Sequence, residues 1–300
     1  MLKIITVATK SDYYFPYLKE SVKNNGGELV VLGYNQEWQG FNWRFALIMD
    51  YLKTLNLNDI ICIIDGYDVI CCRNLNELPN EFLKLKRQYN CKIVVGEDKM
   101  DNFIAKNFID LFYGGTCKDK FLNAGTYIGF AKDILEIVSN IYKLTNSNTS
   151  DDQILMKKYC RLNPNDFYID DNSELFLTIN KPYNEINDIV NIKDGKLYYK
   201  NVEPFFIHGP GGTYLDNILT ILGHDTKNSI VKKQLQNDFY KKYSLYLSPD
   251  FYDKYLNNNI YILLFIFIVI IIFIVIIIMF FINFFSIKKS INFKNKKLYK

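Results

Sequence analysis

Histidine is scarce in this sequence, and its scarcity excludes one class of metal chemistry. The 300 residues include only two histidines, His208 and His224. A non-haem iron centre of the two-histidine, one-carboxylate type would need both, and its His-x-Asp pair is missing. The chain therefore has little scope for histidine-rich metal sites.

The cysteines lack the spacings of metal or redox motifs. There are six, without a Cys-x-x-Cys pair or a zinc pattern: Cys62, Cys71, Cys72, Cys91, Cys117 and Cys160. Cys62 falls inside a predicted buried strand, and the set is typical of small hydrophobic residues in a reducing compartment. A bridge between Cys117 and Cys160 stays open.

A basic excess is also missing from the globular part. Six lysines lie between residues 288 and 300, which leaves 30 basic against 32 acidic residues before them. Such a balance is not typical of nucleic-acid binders, so we do not expect a nucleic-acid partner. Nor do we expect a signal peptide at the N terminus, because Lys10 and Asp12 interrupt the first apolar run.

What is abundant is apolar sequence, at 49% of residues, which is enough for one sizeable core. Strands and helices alternate along the first third of the chain, and this order predicts an α/β fold with a mostly parallel, doubly wound sheet. The predicted strands are Lys3–Thr9, Glu28–Leu32, Asp59–Ile64 and Lys92–Val95, separated by helices at Tyr13–Lys23, Trp43–Leu55 and Pro79–Tyr89.

The C-terminal region has a different character. Residues 255–287 contain no charged side chain, and a run of this length predicts a transmembrane helix at 259–285. We expect a globular domain at 1–225, a polar linker at 226–258 and a basic tail at 286–300. The tail's charge favours a lumenal domain, whereas tail-anchored insertion would leave the domain cytosolic. Without a signal peptide, the cytosolic placement is preferred.

Two carboxylates, Asp65 and Asp68, follow the buried strand Asp59–Ile64 directly. Ligands collect at the ends of parallel strands, and an unpaired carboxylate there would cost several kcal/mol. The pair therefore indicates a shared Mg²⁺ or Mn²⁺ ion, since these cations prefer oxygen ligands. The alternative is a pair of solvated carboxylates that cap the following turn.

Two later stretches complete the pattern. Phe121–Phe130 is predicted to be a turn that enters an apolar strand, and a helix follows it from Lys132 to about Leu144. Ser150 is the expected N-cap of another helix, with Asp151 and Asp152 at its positive end.

Taken in order, these motifs resemble the glycosyltransferase domain of procollagen lysyl hydroxylases and related procollagen glycosyltransferases. The resemblance covers residues 3–223. It is carried by Thr6-Val7-Ala8-Thr9, Val31-Leu32-Gly33, Glu37-Trp38-x-Gly40, Asp65-x-Tyr67-Asp68-Val69, the stretch Phe121–Phe130, Asp151-Asp152-Gln153 and His208-Gly209. It implies a GT-A fold of the Rossmann-like type, a UDP-sugar donor and a divalent cation, normally Mn²⁺.

The resemblance also implies roles for individual residues, each with a structural alternative. The implied metal ligands are Asp65, Asp68 and His208, and the implied catalytic candidates are Asp151 and Asp152, for which helix capping is the competing account. The implied donor-binding residues are Thr6, Thr9, Tyr67 (stacked on uracil), Asn123, Gly125, Gln153, Gly209 and Gly211. Strand propensity, ordinary packing or simple turn formation would explain the same residues without a ligand.

One departure from the family pattern bears on activity. After the metal histidine the family has Asn-Gly-Pro-Thr-Lys, whereas this chain has Pro210-Gly211-Gly212-Thr213-Tyr214 and so lacks the lysine expected near the phosphates. Arg44 is a candidate to replace an earlier family lysine.

The resulting hypothesis is a metal-dependent transferase that moves glucose or galactose from a UDP-sugar to an acceptor hydroxyl, with (galactosyl)hydroxylysine of collagen-like protein as one acceptor. A catalytically silent, membrane-tethered scaffold that binds UDP-sugar is the alternative. A nucleotidyltransferase would need a glycine-rich loop near the N terminus, which this sequence lacks.

Overall fold

The structure is a computed structural model that describes residues 1–98, 116–144, 151–179, 190–210, 213–227, 229, 231, 234 and 267–278. The chain divides into two compact units, Met1–Tyr243 and Ser244–Lys300. Each unit is considered by itself.

Eleven strands are found among the described residues of the first unit. They are β1 (Leu2–Val7), β2 (Leu29–Leu32), β3 (Ile60–Ile64), β4 (Val69–Cys71), β5 (Ile93–Glu97), β6 (Leu122–Phe130), β7 (Phe167–Asp170), β8 (Phe176–Thr178), β9 (Val190–Lys193), β10 (Lys196–Tyr199) and β11 (Phe206–His208). The main sheet has six strands in the order β2-β1-β3-β6-β5-β7, and β6 runs antiparallel to both its neighbours. The remaining pairs are parallel.

Helices cover both faces of this sheet, as the sequence predicted. They are α1 (Phe15–Asn24), α2 (Phe41–Leu52), α3 (Leu78–Tyr89), α4 (Ala131–Lys143) and α5 (Asp152–Leu162). The short α6 (Asp216–Ile221) packs instead with residues of β4, β8 and β11. Alternate residues of a strand point to opposite faces. Ile63 accordingly packs in one cluster with Phe45 of α2, and its neighbour Cys62 packs in another with Phe82 of α3. The prediction of an α/β fold with a mostly parallel sheet is confirmed.

A smaller sheet brings a distant part of the chain to the end of β3. Its order is β4-β11-β8, with β11 antiparallel to β4 and parallel to β8. Val69 pairs with His208 in this register, so His208 lies beside the residue that follows Asp68. The sequence analysis did not identify β4 as a strand of its own, and this strand is what positions the histidine.

The predicted turn at the start of Phe121–Phe130 was wrong. Asn123 and Gly125 both lie within β6, a continuous nine-residue strand. The pairing of β6 with β5 shifts register between Val95 and Gly96, and this bulge lies opposite the predicted turn residues. A β-bulge re-aims side chains without ending a strand, so the polar and glycine residues that suggested a turn belong to a strand instead.

Cys117 and Cys160 form a disulfide with a Cα–Cα distance of 6.0 Å, while Cys62, Cys71, Cys72 and Cys91 are free thiols. The bridge joins α5 to the segment that precedes β6. Structural disulfides are typical of oxidising compartments, so this pair does not fit the interpretation of all six cysteines as reduced hydrophobic residues.

Within the second unit, residues 267–278 are helical and their apolar side chains are exposed, as at Phe267 (61%) and Phe273 (64%). Across the residues that the structure describes, no helix has the length and apolar character needed to cross a bilayer. The predicted span at 259–285 extends beyond the described helix on both sides, so it stays a prediction. The basic tail at 286–300 and most of the predicted linker lie outside the described residues.

We expect the Cys117→Ser variant to lose about 4 kcal/mol of unfolding free energy, because the bridge closes a 43-residue separation and restricts the unfolded chain. Urea unfolding of both proteins without reductant measures this difference. Thiol titration of the denatured wild type should find four reactive cysteines out of six. Titration of all six would show that the bridge does not form.

Candidate active site and metal centre

Three side chains converge where β3 ends. Ligand atoms of Asp65, Asp68 and His208 all lie within 4.8 Å of one another. His208 Nε2 is 3.4 Å from Asp68 Oδ1 and 3.7 Å from Asp65 Oδ2. The backbone N–H of Asp65 donates to the carbonyl of Gly125 at 2.8 Å, which ties the end of β3 to β6. The three residues implied as metal ligands are therefore brought together.

The orientation of His208 follows from its other ring nitrogen. His208 Nδ1 lies 3.0 Å from Asn123 Oδ1, which also accepts the N–H of Gly125 at 2.9 Å. The Asn123 amide nitrogen donates to Asp98 Oδ1 at 2.8 Å, so the amide cannot be turned around. Because Asn123 Oδ1 is an acceptor, His208 Nδ1 must carry the proton. Nε2 of the neutral ring is then a lone pair that faces two carboxylates.

Such an arrangement needs a positive charge between its members. Asp68 Oδ1 and His208 Nε2 are buried and lack a hydrogen-bond partner among the described residues. Burial lowers the pKa of His208, but the carboxylates of Asp68 and Asp65 raise it above its usual value overall. Two carboxylate oxygens and one imidazole nitrogen suit Mn²⁺ or Mg²⁺. These residues therefore fit a divalent cation.

Gly125 leaves the space into which the ligands project. A Cβ atom at this position would lie 2.4 Å from His208 Cε1 and 2.6 Å from Asp65 Oδ2. Both distances are shorter than van der Waals contact, so any side chain would displace a ligand. Gly125 is thus required by the geometry of the cluster itself.

Arg44 on α2 links the cluster to α5. Its guanidinium contacts Asp65 Oδ1 at 2.6 Å and Asp152 Oδ2 at 2.7 Å, and the residue is 7% exposed. Burial raises the pKa of Asp152 to about 6 and also raises that of Asp65, while the charge of Arg44 opposes both shifts. Arg44 is thus committed to holding two carboxylates in place.

The family model for the PLOD GT domain matches residues 1–236, where GT denotes glycosyltransferase. This chain belongs to the PLOD GT domain family. The family assignment confirms the resemblance found in the sequence.

Curated relatives of this PLOD GT domain are longer proteins. The Drosophila melanogaster procollagen-lysine,2-oxoglutarate 5-dioxygenase is 24% identical over 236 residues, which are 72% of this chain and 31% of the relative. The human multifunctional procollagen lysine hydroxylase and glycosyltransferase LH3 is 26% identical over 252 residues, 76% of this chain and 32% of the relative. The chain spans about a third of the length of these relatives.

Among solved structures, the chain is similar to a glycosyltransferase involved in the glycosylation of the major capsid of PBCV-1. The TM-score is 0.46 with 15% sequence identity, over 73% of this chain and 98% of that one.

Asp98 is the residue of this PLOD GT domain that sequence reasoning missed. Besides the bond from Asn123, its Oδ2 accepts a hydrogen bond from Gln153 Nε2 at 2.9 Å, and Gln153 Oε1 accepts the N–H of Ala124 at 3.2 Å. Asn123 and Gln153 therefore support the histidine from behind. The signal was available, because Asp98 lies three residues after the predicted strand Lys92–Val95 and directly after β5, as Asp65 does after β3.

The proposed uracil side of the site is organised by the hydroxyl of Tyr67. This oxygen accepts the N–H of Thr9 at 2.9 Å and that of Lys10 at 3.3 Å, and it lies 3.3 Å from Thr9 Oγ1. Thr6 is different, since it is fully buried and its Oγ1 would lie 3.0 Å from a Cβ on Gly66. The structure places Thr9 and Tyr67 together and Thr6 inside the sheet.

Of the remaining predicted residues, some face the site and others have a structural role. Asp151, not Ser150, is the N-cap of α5: its Oδ1 accepts the N–H of Ile154 at 3.0 Å and its side chain is exposed. Asp152 instead faces Arg44. The N–H of Gly209 donates to the carbonyl of Asp68 at 2.8 Å, so this donor is already paired within the protein, and donor binding by Gly209 stays a prediction. Gly211 lies outside the described residues.

In this PLOD GT domain, we expect Arg44→Met to lower the free energy of unfolding by about 3 kcal/mol, because two buried carboxylates lose their counter-charge. The value is at the low end of the range because the Asp65 side chain is 30% exposed. Urea unfolding measures the loss, and Arg44→Met combined with Asp152→Asn should recover part of it.

The matched control is Arg87→Met, which removes an exposed arginine from α3. An equal loss of stability in both arginine variants would contradict a specific role for the Asp65–Arg44–Asp152 contacts.

Proposed function

We propose that this chain is a metal-dependent glycosyltransferase that moves glucose or galactose from a UDP-sugar to an acceptor hydroxyl. The proposed acceptor is hydroxylysine, or its galactosylated form, on a collagen-like protein. A single observation carries the proposal: three electron-rich ligand atoms face one another at the end of β3, and two of them are buried without a hydrogen-bond partner within the described part of the chain.

The residues that would hold the cation are Asp65, Asp68 and His208. When bound, Mn²⁺ or Mg²⁺ supplies positive charge that stabilises the diphosphate of the leaving UDP. The protein's own contribution is to fix the ligands in advance. Asn123 holds the proton of His208 on Nδ1, and Gly125 leaves the ligand space free of side-chain atoms. Such support from outer residues sets metal affinity as well as ligand orientation.

Tyr67 and Asp152 are the proposed contacts on either side of the cation. The hydroxyl of Tyr67 is held by the backbone of Thr9 and Lys10, which orients the ring that would stack on uracil. Asp152 is held by Arg44 and has a pKa raised to about 6 by burial. A carboxylate of this kind suits contact with sugar hydroxyls or the reacting centre. Asp151 then acts through the geometry of α5 as its N-cap.

The test is a double substitution, Asp65→Asn with Asp68→Asn. Two amides cannot replace the charge of two carboxylates toward a hard cation, so Mn²⁺ binding and Mn²⁺-dependent release of UDP should both be lost. Calorimetry with Mn²⁺ alone and an assay of UDP release measure the two effects. The matched control is Asp50→Asn on α2, whose side chain is 73% exposed. Full turnover by the double variant would refute the metal role.

A catalytically silent, donor-binding scaffold remains the second candidate. It is favoured by Tyr214, which stands where the family has a lysine, and by Arg44, whose guanidinium is occupied by Asp65 and Asp152. Phosphate charge would then be balanced mainly by the metal.

A panel of UDP-sugars separates the two candidates. The transferase should release UDP from UDP-glucose or UDP-galactose in the presence of Mn²⁺, and faster when a hydroxylysine-containing collagen-like peptide is added. Binding of UDP and Mn²⁺ by calorimetry, without release of UDP from any sugar in the panel, would favour the scaffold.

The cellular setting is part of the proposal. We propose a membrane anchor formed around the helix at 267–278, on the basis of its exposed apolar side chains. Of the two expected placements of the catalytic domain, cytosolic and lumenal, the Cys117–Cys160 bridge favours the lumen of the ER or Golgi, because disulfides persist in oxidising compartments.

A further inference from the structure

The segment after His208 is attached to the start of α1 through one buried hydroxyl. The O–H of Tyr14 donates to Asp216 Oδ1 at 3.0 Å, and the hydroxyl oxygen of Tyr14 accepts the backbone N–H of Leu215 at 2.8 Å. Tyr14 is 1% exposed and Asp216 is 6% exposed. Both polar atoms of this contact are thus buried away from water. In such a buried site, loss of the hydrogen bond leaves an unsatisfied polar group, which is costly.

The other end of Tyr14 reaches the aspartate pair. Its backbone N–H donates to the carbonyl of Tyr67 at 3.1 Å, and Tyr67 directly precedes Asp68. On the opposite side, the N–H of Gly209 donates to the carbonyl of Asp68. Tyr14 therefore contacts the main chain on both sides of the gap between the Asp68 loop and the segment that begins at His208.

Packing between Gly209 and Leu215 completes a closed series of contacts. A Cβ on Gly209 would lie 2.9 Å from Cδ2 of Leu215, so the leucine side chain rests against the glycine. Leu215 is fully buried, and its N–H is the group that Tyr14 accepts. The contacts run from Asp68 to Gly209, to Leu215, to Tyr14, to Tyr67 and back to Asp68.

Asp216 reinforces this arrangement from outside. Its second oxygen, Oδ2, accepts a hydrogen bond from the hydroxyl of Tyr214 at 2.6 Å. The carboxylate of Asp216 thereby links Tyr214, which stands where the family has a lysine, to Tyr14 at the N-cap of α1. Tyr214 thus replaces a positively charged residue of the family and also helps to hold this segment in place.

We propose that Tyr14 and Asp216 are positioning residues of the metal site, which hold His208 and Asp68 at the separation that a shared cation requires. The inference rests on the proposed function in taking Asp65, Asp68 and His208 as ligands of a divalent cation. Neither Tyr14 nor Asp216 touches the cation. Their effect acts through the contact of Leu215 with Gly209 and through the backbone of Tyr67.

The test compares Tyr14→Phe with Tyr17→Phe in the full chain. Tyr14→Phe removes a hydroxyl at the N-cap of α1 and Tyr17→Phe removes one from its first turn. The Tyr17 hydroxyl, which contacts the carbonyl of Asp225 at 3.4 Å and hydrogen-bonds Ser229, takes no part in the contacts that join Tyr67 to Leu215. Mn²⁺ alone is the probe, and the spectrum of free Mn²⁺ in electron paramagnetic resonance reports its dissociation constant. We expect Tyr14→Phe to weaken Mn²⁺ binding about tenfold, as loss of a residue behind a metal ligand does, and Tyr17→Phe to bind like the wild type.

A second pair guards against a variant that fails to fold. Asp216→Ala should weaken Mn²⁺ binding, whereas Asp216→Asn keeps an oxygen for the Tyr14 hydroxyl and should restore most of the affinity. In UDP-sugar hydrolysis, the KM for Mn²⁺ should rise in Tyr14→Phe while kcat at saturating Mn²⁺ stays close to that of the wild type.

The outcomes separate the two levels of the argument. If the wild type binds Mn²⁺ and Tyr14→Phe binds it equally well, the positioning role is overturned and the metal site stands. An equal loss in Asp216→Ala and Asp216→Asn would also overturn it. If the wild type does not bind Mn²⁺, the proposed metal site itself fails, and the positioning role fails with it.

Discussion

The candidate site depends on the hydrogen bond between His208 Nδ1–H and Asn123 Oδ1. In the neutral ring this bond leaves Nε2 as a lone pair that faces Asp65 and Asp68, and three such acceptors repel one another unless a proton or a cation lies among them. Asp98 accepts a hydrogen bond from the Asn123 amide nitrogen and so fixes the direction of the amide. Through Asn123, Asp98 indirectly determines which nitrogen of His208 carries the proton. The orientation of an uncharged amide is thus what directs the ring nitrogen of His208 toward the two carboxylates.

Around this cluster, the structure holds charged and polar groups in place by burying them in pairs. Arg44 lies between Asp65 and Asp152. Gln153, which follows Asp152 on α5, donates a hydrogen bond to Asp98. The helix that carries Asp152 and Gln153 is also bonded covalently, through Cys160, to the segment that leads into β6. The proposed metal ligands and the proposed sugar contacts therefore lie on elements that are joined to one another, which limits their relative movement.

Much of the fold was readable from local patterns. The buried run at Ile60–Ile64, the helices on both faces and the carboxylates at the end of β3 follow from hydrophobic periodicity and from the rule that ligands gather at strand ends. Strand β4 was missed because three residues carry too little pattern to be separated from the loop before them. The turn predicted at Asn123 was wrong because glycine and asparagine, which favour turns, also occur beside β-bulges inside strands. Asp98 was missed although the same rule that singled out Asp65 applies to it.

The sequence by itself determined the class of fold, the aspartate pair and the family, because these depend on residue types and on spacing along the chain. Only the tertiary structure decided which side chains meet. His208 reaches Asp68 because β11 pairs with β4, Arg44 reaches Asp152 because α2 and α5 cover the same face of the sheet, and Cys117 meets Cys160 through packing in the same core. Contacts of this kind arise from pairing and packing between residues far apart in the chain, and no local pattern records such distances.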